Sequence, residues 1–168
     1  TITWGTLDAL GLSSGGSDHT IGLQVTDTEF AIDVTTTTLT INNVLPVADA
    51  GDAYVIAEGT SLTLDASGST DAGGDSLIYA WDLDNDGEYD DAIGMSPTVT
   101  WDTLNALGLS SDGTAHQIGL QVTDDIGSST ASTTLTLNNI APIAHAGDAY
   151  VISEGSSLTL DATGSTDA

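Results

Sequence analysis

The chain repeats itself. Residues 1–27 (TITWGTLDALGLSSGGSDHTIGLQVTD) match residues 98–124 (TVTWDTLNALGLSSDGTAHQIGLQVTD) at 20 of 27 positions, and residues 51–72 match 147–168 at 19 of 22. Self-similarity at a spacing of 97 and then 96 residues restricts the fold to one small module copied in tandem. The spacing changes after Asp27, where TDTEFAIDVTTTTLTINN is one residue longer than TDDIGSSTASTTLTLNN. A length change confined to one loop is what a shared fold tolerates. On this reading residues 1–45 are the C-terminal half of one copy, 46–141 a complete copy and 142–168 the N-terminal part of the next. The outer pieces lack the counterpart of residues 73–97, so neither is expected to close a core unaided. Each calls for further chain or for a strand from a neighbour. A window on a longer array is the leading expectation. A genuine subunit would instead join head to tail, the Ala168 end of one copy completing the Thr1 end of the next.

Within a copy the apolar period is two, which predicts strands. Leu62, Leu64 and Ala66 alternate with Ser61, Thr63 and Asp65; Leu77, Tyr79 and Trp81 share one face. Ile118, Leu120 and Val122 share another, opposite Gln117, Gly119, Gln121 and Thr123, and Ala131, Thr133, Leu135 and Leu137 continue the pattern. Thr and Ser fill the outer positions, as in antiparallel sheets with one wet face. Turn clusters separate these runs at 58–59, 67–76, 84–94, 110–113 and 124–129. About seven short strands in about 96 residues predict an all-β, immunoglobulin-like two-sheet sandwich. Trp101 to Leu109 is expected to hold one helical turn, with Leu104 and Leu107 inward and Gly108 ending it; no other helix is expected. The connectors NNVLPVADA (42–50) and NNIAPIAHA (138–146) are short, with one proline each. They are too stiff for neighbouring modules to tumble freely.

Charge is the second constraint. The sequence holds 25 acidic residues, no Lys and no Arg, for a formal net charge of −25. Such a chain repels nucleic acid and anionic membrane surfaces, and it has no side chain able to form a conventional salt bridge. Counterions must come from solution, either as a general ionic atmosphere or as divalent ions held at carboxylate clusters. Cysteine is absent, so no disulfide supports the modules. No apolar run approaches the length of a membrane span.

Residues 58–71 (EGTSLTLDASGSTD), 79–82 (YAWD) with Asp86 and Gly87, and 121–125 (QVTDD) together resemble the PKD (polycystic kidney disease) domain of bacterial and archaeal surface proteins. The resemblance runs through the whole chain. It implies an immunoglobulin-like β-sandwich used as a spacer or adhesive module of extracellular proteins, often in tandem. One departure stands out: the family commonly reads WDFGDG, whereas residues 81–87 read WDLDNDG, with an added acidic pair.

That acidic stretch, residues 82–91 (DLDNDGEYDD), is the strongest local motif. Alternating Asp followed by Gly matches the first half of a calcium loop, in which positions 1, 3 and 5 supply oxygens and Gly at 6 permits the turn. Position 12 would be Ile93, so a closing carboxylate must come from elsewhere, with Asp90 and Asp91 at hand. Asp82, Asp84, Asp86, Glu88, Asp90 and Asp91 are therefore candidate Ca2+ ligands. A second candidate set depends on topology. In an immunoglobulin-like sandwich, Asp71, Asp75, Asp124, Asp125 and the linker's Asp49 gather at the end facing the preceding module, with Asn42 and Asn43. Calcium bound there would fix the angle between modules.

Trp81, Trp101 and Trp4 are expected as core anchors in strand phase. Three scattered histidines without cysteine argue against zinc, and carboxylates in repeated turns without Lys or Arg argue against catalysis. The expected role is a structural or adhesive repeat region of a secreted or cell-surface protein, forming a calcium-stiffened rod, stalk or extracellular fibre. Its partners would be neighbouring repeats and other copies, lateral or head to tail. The alternative is a glycan- or protein-binding accessory module of an adhesin or secreted hydrolase.

Overall fold

The computed structural model describes residues 1–12, 15–16 and 18–167; Ser13, Ser14, Ser17 and Ala168, the last being the expected end of the third piece, lie outside the described residues. Seven strands build the central module: β3 (Tyr54–Ala57), β4 (Leu62–Thr63), β5 (Ile78–Asp82), β6 (Ala92–Ile93), β7 (Thr98–Val99), β8 (Asp112–Thr123) and β9 (Ser128–Asn138). Five of them form one sheet in the order β3-β9-β8-β5-β6, and β4 and β7 form the facing pair. All neighbours are antiparallel except β3, which runs parallel to β9 with Tyr54 beside Leu135. This is the all-β immunoglobulin-like sandwich that the period-two pattern predicts.

The alternation decides which residues close it. Leu62, Leu64, Ala66, Trp81, Ile118, Leu120, Val122, Leu135 and Leu137 are all at most 1% exposed and share one core. A helix, α2 (Trp101–Ala106), covers the core with Leu104 fully buried. The Thr100 hydroxyl caps it by accepting the Thr103 N–H at 3.3 Å, and Gly108 (φ 78°) follows its end. The matching residues of the first piece form α1 (Trp4–Ala9), WGTLDA against WDTLNA, the repeat's one helix in its second copy. Trp4 and Trp101 therefore open helices and do not sit in strand phase. Trp81 alone of the three is a fully buried strand anchor.

The outer pieces separate local from distant contributions. Residues 1–41 make α1 and one hairpin, β1 (Asp18–Thr26) with β2 (Ile32–Thr40), whose register follows from a single turn. Ile21, Leu23 and Val25, counterparts of the buried Ile118, Leu120 and Val122, are 46%, 57% and 58% exposed there. Residues 142–167 keep the local bonds of their counterpart: the Ile143–Thr166 bridge repeats Val47–Thr70, and the Tyr150 hydroxyl repeats that of Tyr54. They form no strand, because β3 and β4 exist only by pairing with the distant β9 and β7.

Truncation of matching leucines should expose this difference. Leu120→Ala is expected to cost about 2–5 kcal/mol, as for a filled core position. Leu23→Ala, at the matching place in the hairpin, is expected to stay within about 0.5 kcal/mol. Urea unfolding followed by tryptophan fluorescence measures both; equal costs would mean that the hairpin face is covered in solution.

Candidate carboxylate sites

Two groups of acidic side chains come together among the described residues: Asp71, Asp75 and Asp124, and Asp82, Asp84 and Asp91. In each group the ligand atoms lie within 4.8 Å of one another.

The first group sits where the linker enters the sandwich. Asp71 opens a turn in which its Oδ1 accepts the N–H groups of Gly73, Gly74 and Asp75 at 2.7, 2.9 and 3.2 Å. Its Oδ2 is buried without a hydrogen-bond partner. Asp124, 6% exposed, ends the β8 run. Its Oδ1 accepts from the Ile126 and Gly127 N–H at 2.7 and 2.6 Å, and its Oδ2 accepts from the Asn43 amide at 2.9 Å. These donors, the Asn43 side chain foremost, hold the Asp124 carboxyl below its ordinary value of 3.8. The linker is stitched further by the Ala48 N–H to the Ser129 hydroxyl at 3.0 Å. Trp4, from the preceding copy, donates its indole N–H to the Gly73 carbonyl at 2.8 Å, so the tryptophan expected in a core reaches across the junction instead. Trp4, Ile41, Asn42, Val44, Ala72 and Gly73 line one cavity there of about 120 Å3.

Asp49 and Asp125 stand outside this group. Asp49 Oδ1 accepts the Gly51 N–H at 2.9 Å, and its side chain lies with Tyr54, Asp65 and Ser67 along an open cleft. Asp125 is exposed.

The second group sits where β5 runs into the turn before β6. Ala80 faces Ile93 and Trp81 faces Ala92; Asp82 ends β5 and Asp91 just precedes β6, its N–H donating to the Trp81 carbonyl at 3.1 Å. Trp81 points into the core, and Asp82, the next residue, points to the other face. There it is still only 4% exposed. The reason is Gly119, its partner on β8: a glycine leaves room for Tyr89 to fold back over the sheet, with the Tyr89 ring 3.1 Å and Asp82 Cβ 3.5 Å from where a Cβ on residue 119 would stand. Asp82 Oδ2 accepts the Gly87 N–H at 3.0 Å, and Asp91 Oδ2 accepts from Leu83 at 2.6 Å and Asp84 at 3.3 Å. Asp82 Oδ1 is buried with no partner. Positive φ at Asn85 (59°) and Gly87 (95°) makes the tight reversal.

Asp86, Glu88 and Asp90 are exposed and belong to neither group. Asp86 Oδ1 is engaged by the Glu88 N–H at 2.8 Å. Although Asp84 is exposed as a residue, desolvation within the loop pushes its carboxyl above its ordinary value, and Asp91, Asp86 and Asp82 add to the rise. The approach of Asp91 to Asp82 is readable from sequence only once the path of the turn is known; the isolated Gly119 in a strand run was the available signal that something packs against that face.

A family model described as the PKD domain matches residues 43–138. No curated protein matches the chain. Among solved structures it is similar to a nucleoside hydrolase-related hypothetical protein from Saccharophagus degradans associated with carbohydrate metabolism, at 22% identity and a TM-score of 0.44, covering 58% of this chain and 26% of that one. It is also similar to titin domains I67–I69 (14%, 0.41, covering 73% and 41%) and to extracellular domains 3–5 of Drosophila OTK (11%, 0.40, covering 72% and 40%). The chain thus spans between 26% and 41% of the length of these structures, and likeness at this level adds nothing to the family match. No helix among the described residues is long and apolar enough to cross a membrane.

The two groups predict opposite pH behaviour. A carboxyl held below its ordinary value stabilises the fold fully above that value, and the contribution is lost as pH falls through the folded pKa. Asp124 is of this kind. Asp84, raised, carries a penalty above its folded pKa that protonation relieves. Carboxyl 13C titration is expected to put Asp124 below 3.8 and Asp84 above it. Asp124→Asn is expected to melt lower than the parent at neutral pH, with the gap closing as pH falls through the Asp124 pKa.

Proposed function

The chain belongs to the PKD domain family, and from that premise we propose that it is a stretch of a tandem, extracellular rod or stalk whose junctions are stiffened by calcium. A PKD module of immunoglobulin-like build fits a structural or adhesive role; the rod and its calcium are this proposal's additions. The observation that carries it is the junction, where the linker and the preceding copy are tied to the Asp71–Asp75–Asp124 corner. Asn43 grips Asp124, Trp4 grips the carbonyl of Gly73, and the buried Asp71 Oδ2 sits in the same group of carboxylates.

The chemistry follows from the charge. Three carboxylates brought this close repel one another unless protonated or neutralised, and no Lys or Arg exists to neutralise them. A hard cation with oxygen ligands at about 2.3–2.6 Å suits such a group. Bound there, it holds the turn containing Gly73 against the turn containing Asp124. The linker's Asn43 and the incoming Trp4 are then held against a fixed surface. Near-identity of the copies supports a spacer, because a rod lengthens by copying whereas ligand-binding modules diversify their loops.

Solvent exchange of the Trp4 indole N–H and of the amides of residues 43–48, followed by NMR, tests this. Calcium is expected to slow both, sodium chloride at equal ionic strength is expected not to, and Asp71→Asn is expected to abolish the effect. Exchange indifferent to chelation would sink the stiffened junction.

A further inference from the structure

We propose that the turn between β5 and β6 is a second calcium site, formed by Asp82, Asp84 and Asp91 and independent of the junction. It goes beyond the rod reading, because Asp82, Asp84 and Asp91 belong to the sandwich itself, apart from the Asn43 and Trp4 bonds of the junction.

The convergence makes the case. Carboxylates this close repel one another, yet the turn brings ligand atoms of Asp82, Asp84 and Asp91 within 4.8 Å of one another. Asp82 is buried, and one of its oxygens has no hydrogen-bond donor. A buried carboxylate oxygen left without a partner is costly, and the chain contains no Lys or Arg to supply one. Surrounding N–H groups hold two of the oxygens, from Gly87 to Asp82 Oδ2 and from Leu83 and Asp84 to Asp91 Oδ2. They orient the carboxylates and leave Asp82 Oδ1 buried without a donor.

The donor chemistry selects the ion. All three ligands are hard oxygens, and their span of at most 4.8 Å matches two calcium–oxygen bonds of about 2.4 Å across one ion. Magnesium dehydrates reluctantly and is held through one or two carboxylates, so three converging ones favour calcium. The arrangement also departs from a linear calcium loop. Asp86, third in the alternating series, turns its Oδ1 to the Glu88 N–H, and Asp91, next to β6, supplies the closing carboxylate. Tyr89, lying over Gly119, covers the Asp82 side of the site.

Calorimetric titration of calcium chloride into the chelator-stripped 168-residue chain, with melting followed in parallel, tests the proposal. Asp82→Asn and Asp91→Asn are each expected to weaken one binding event at least tenfold and to remove most of the calcium-induced rise in Tm. In chelator both are expected to melt at or above the parent, because one of the converging charges is gone. Asp86→Asn and Asp124→Asn are expected to keep that event. Calcium binding by Asp82→Asn and Asp91→Asn equal to the parent would overturn the site, as would equal loss in Asp86→Asn; an equal response to magnesium would overturn the choice of ion. Should either variant fail to fold, Asp84→Asn, at the exposed rim, carries the same expectation.

Discussion

The backbone N–H two residues downstream of an aspartate, donated to that aspartate's own carboxylate, is the interaction on which this fold depends. It recurs at Asp27, Asp49, Asp65, Asp71, Asp84 and Asp86, and again at Asp112, Asp124 and Asp161. With no Lys or Arg, the peptide group is the main positive partner available to these acids. Each such bond shapes a turn and holds part of one negative charge. Acidity and turn structure are therefore one property of this sequence: the aspartates that carry its negative charge also reverse the chain between its strands.

The same bond explains what the pieces of the repeat can do alone. Asp161 makes it in residues 142–167 as Asp65 does in the central module, and Tyr150 locks the neighbouring backbone as Tyr54 does. Local interactions of this kind survive without the rest of the sandwich. Strands β3 and β4 do not, since their hydrogen bonds belong to residues about 80 and 36 positions away. The hairpin of β1 and β2 forms in the first piece for the converse reason, its two strands being joined by one turn. Turns are local; the sandwich is not.

This division also accounts for what was legible beforehand. Alternation alone identified the core faces, because Leu62, Leu64, Ile118, Leu120 and Leu135 obey the pleat without exception. Helix α2 was readable from Leu104, Leu107 and Gly108. The destination of Trp4 was not, because its partner is the Gly73 carbonyl 69 residues away, and a backbone acceptor leaves no mark in side-chain identity. The acidic motif marked a loop in which carboxylates do converge, but it suggested candidates by their spacing along the chain. The turn between β5 and β6 brings Asp91 to Asp82 and leaves Asp86, Glu88 and Asp90 outside, a choice that a linear motif cannot express. Likewise Asp71, Asp75 and Asp124 meet because two turns share one end of the sandwich, while Asp49 on the linker is drawn to Gly51.

The two carboxylate groups place the chain's charge in different regimes. Charges spread over the surface lie far enough apart for dissolved salt to screen them, the Debye length being about 8 Å at physiological ionic strength. Ligand atoms within 4.8 Å of one another lie inside that length, so monovalent salt leaves most of their repulsion in place. Hydrogen-bond donors offset it at Asp124, whose carboxyl is held low. They offset it less at Asp84, whose carboxyl is pushed up. Repulsion between three converging carboxylates is relieved by protonation, by hydrogen-bond donors or by a cation among them. The sequence has no Lys or Arg to supply the last, so within the chain the backbone N–H groups and protonation are what remain.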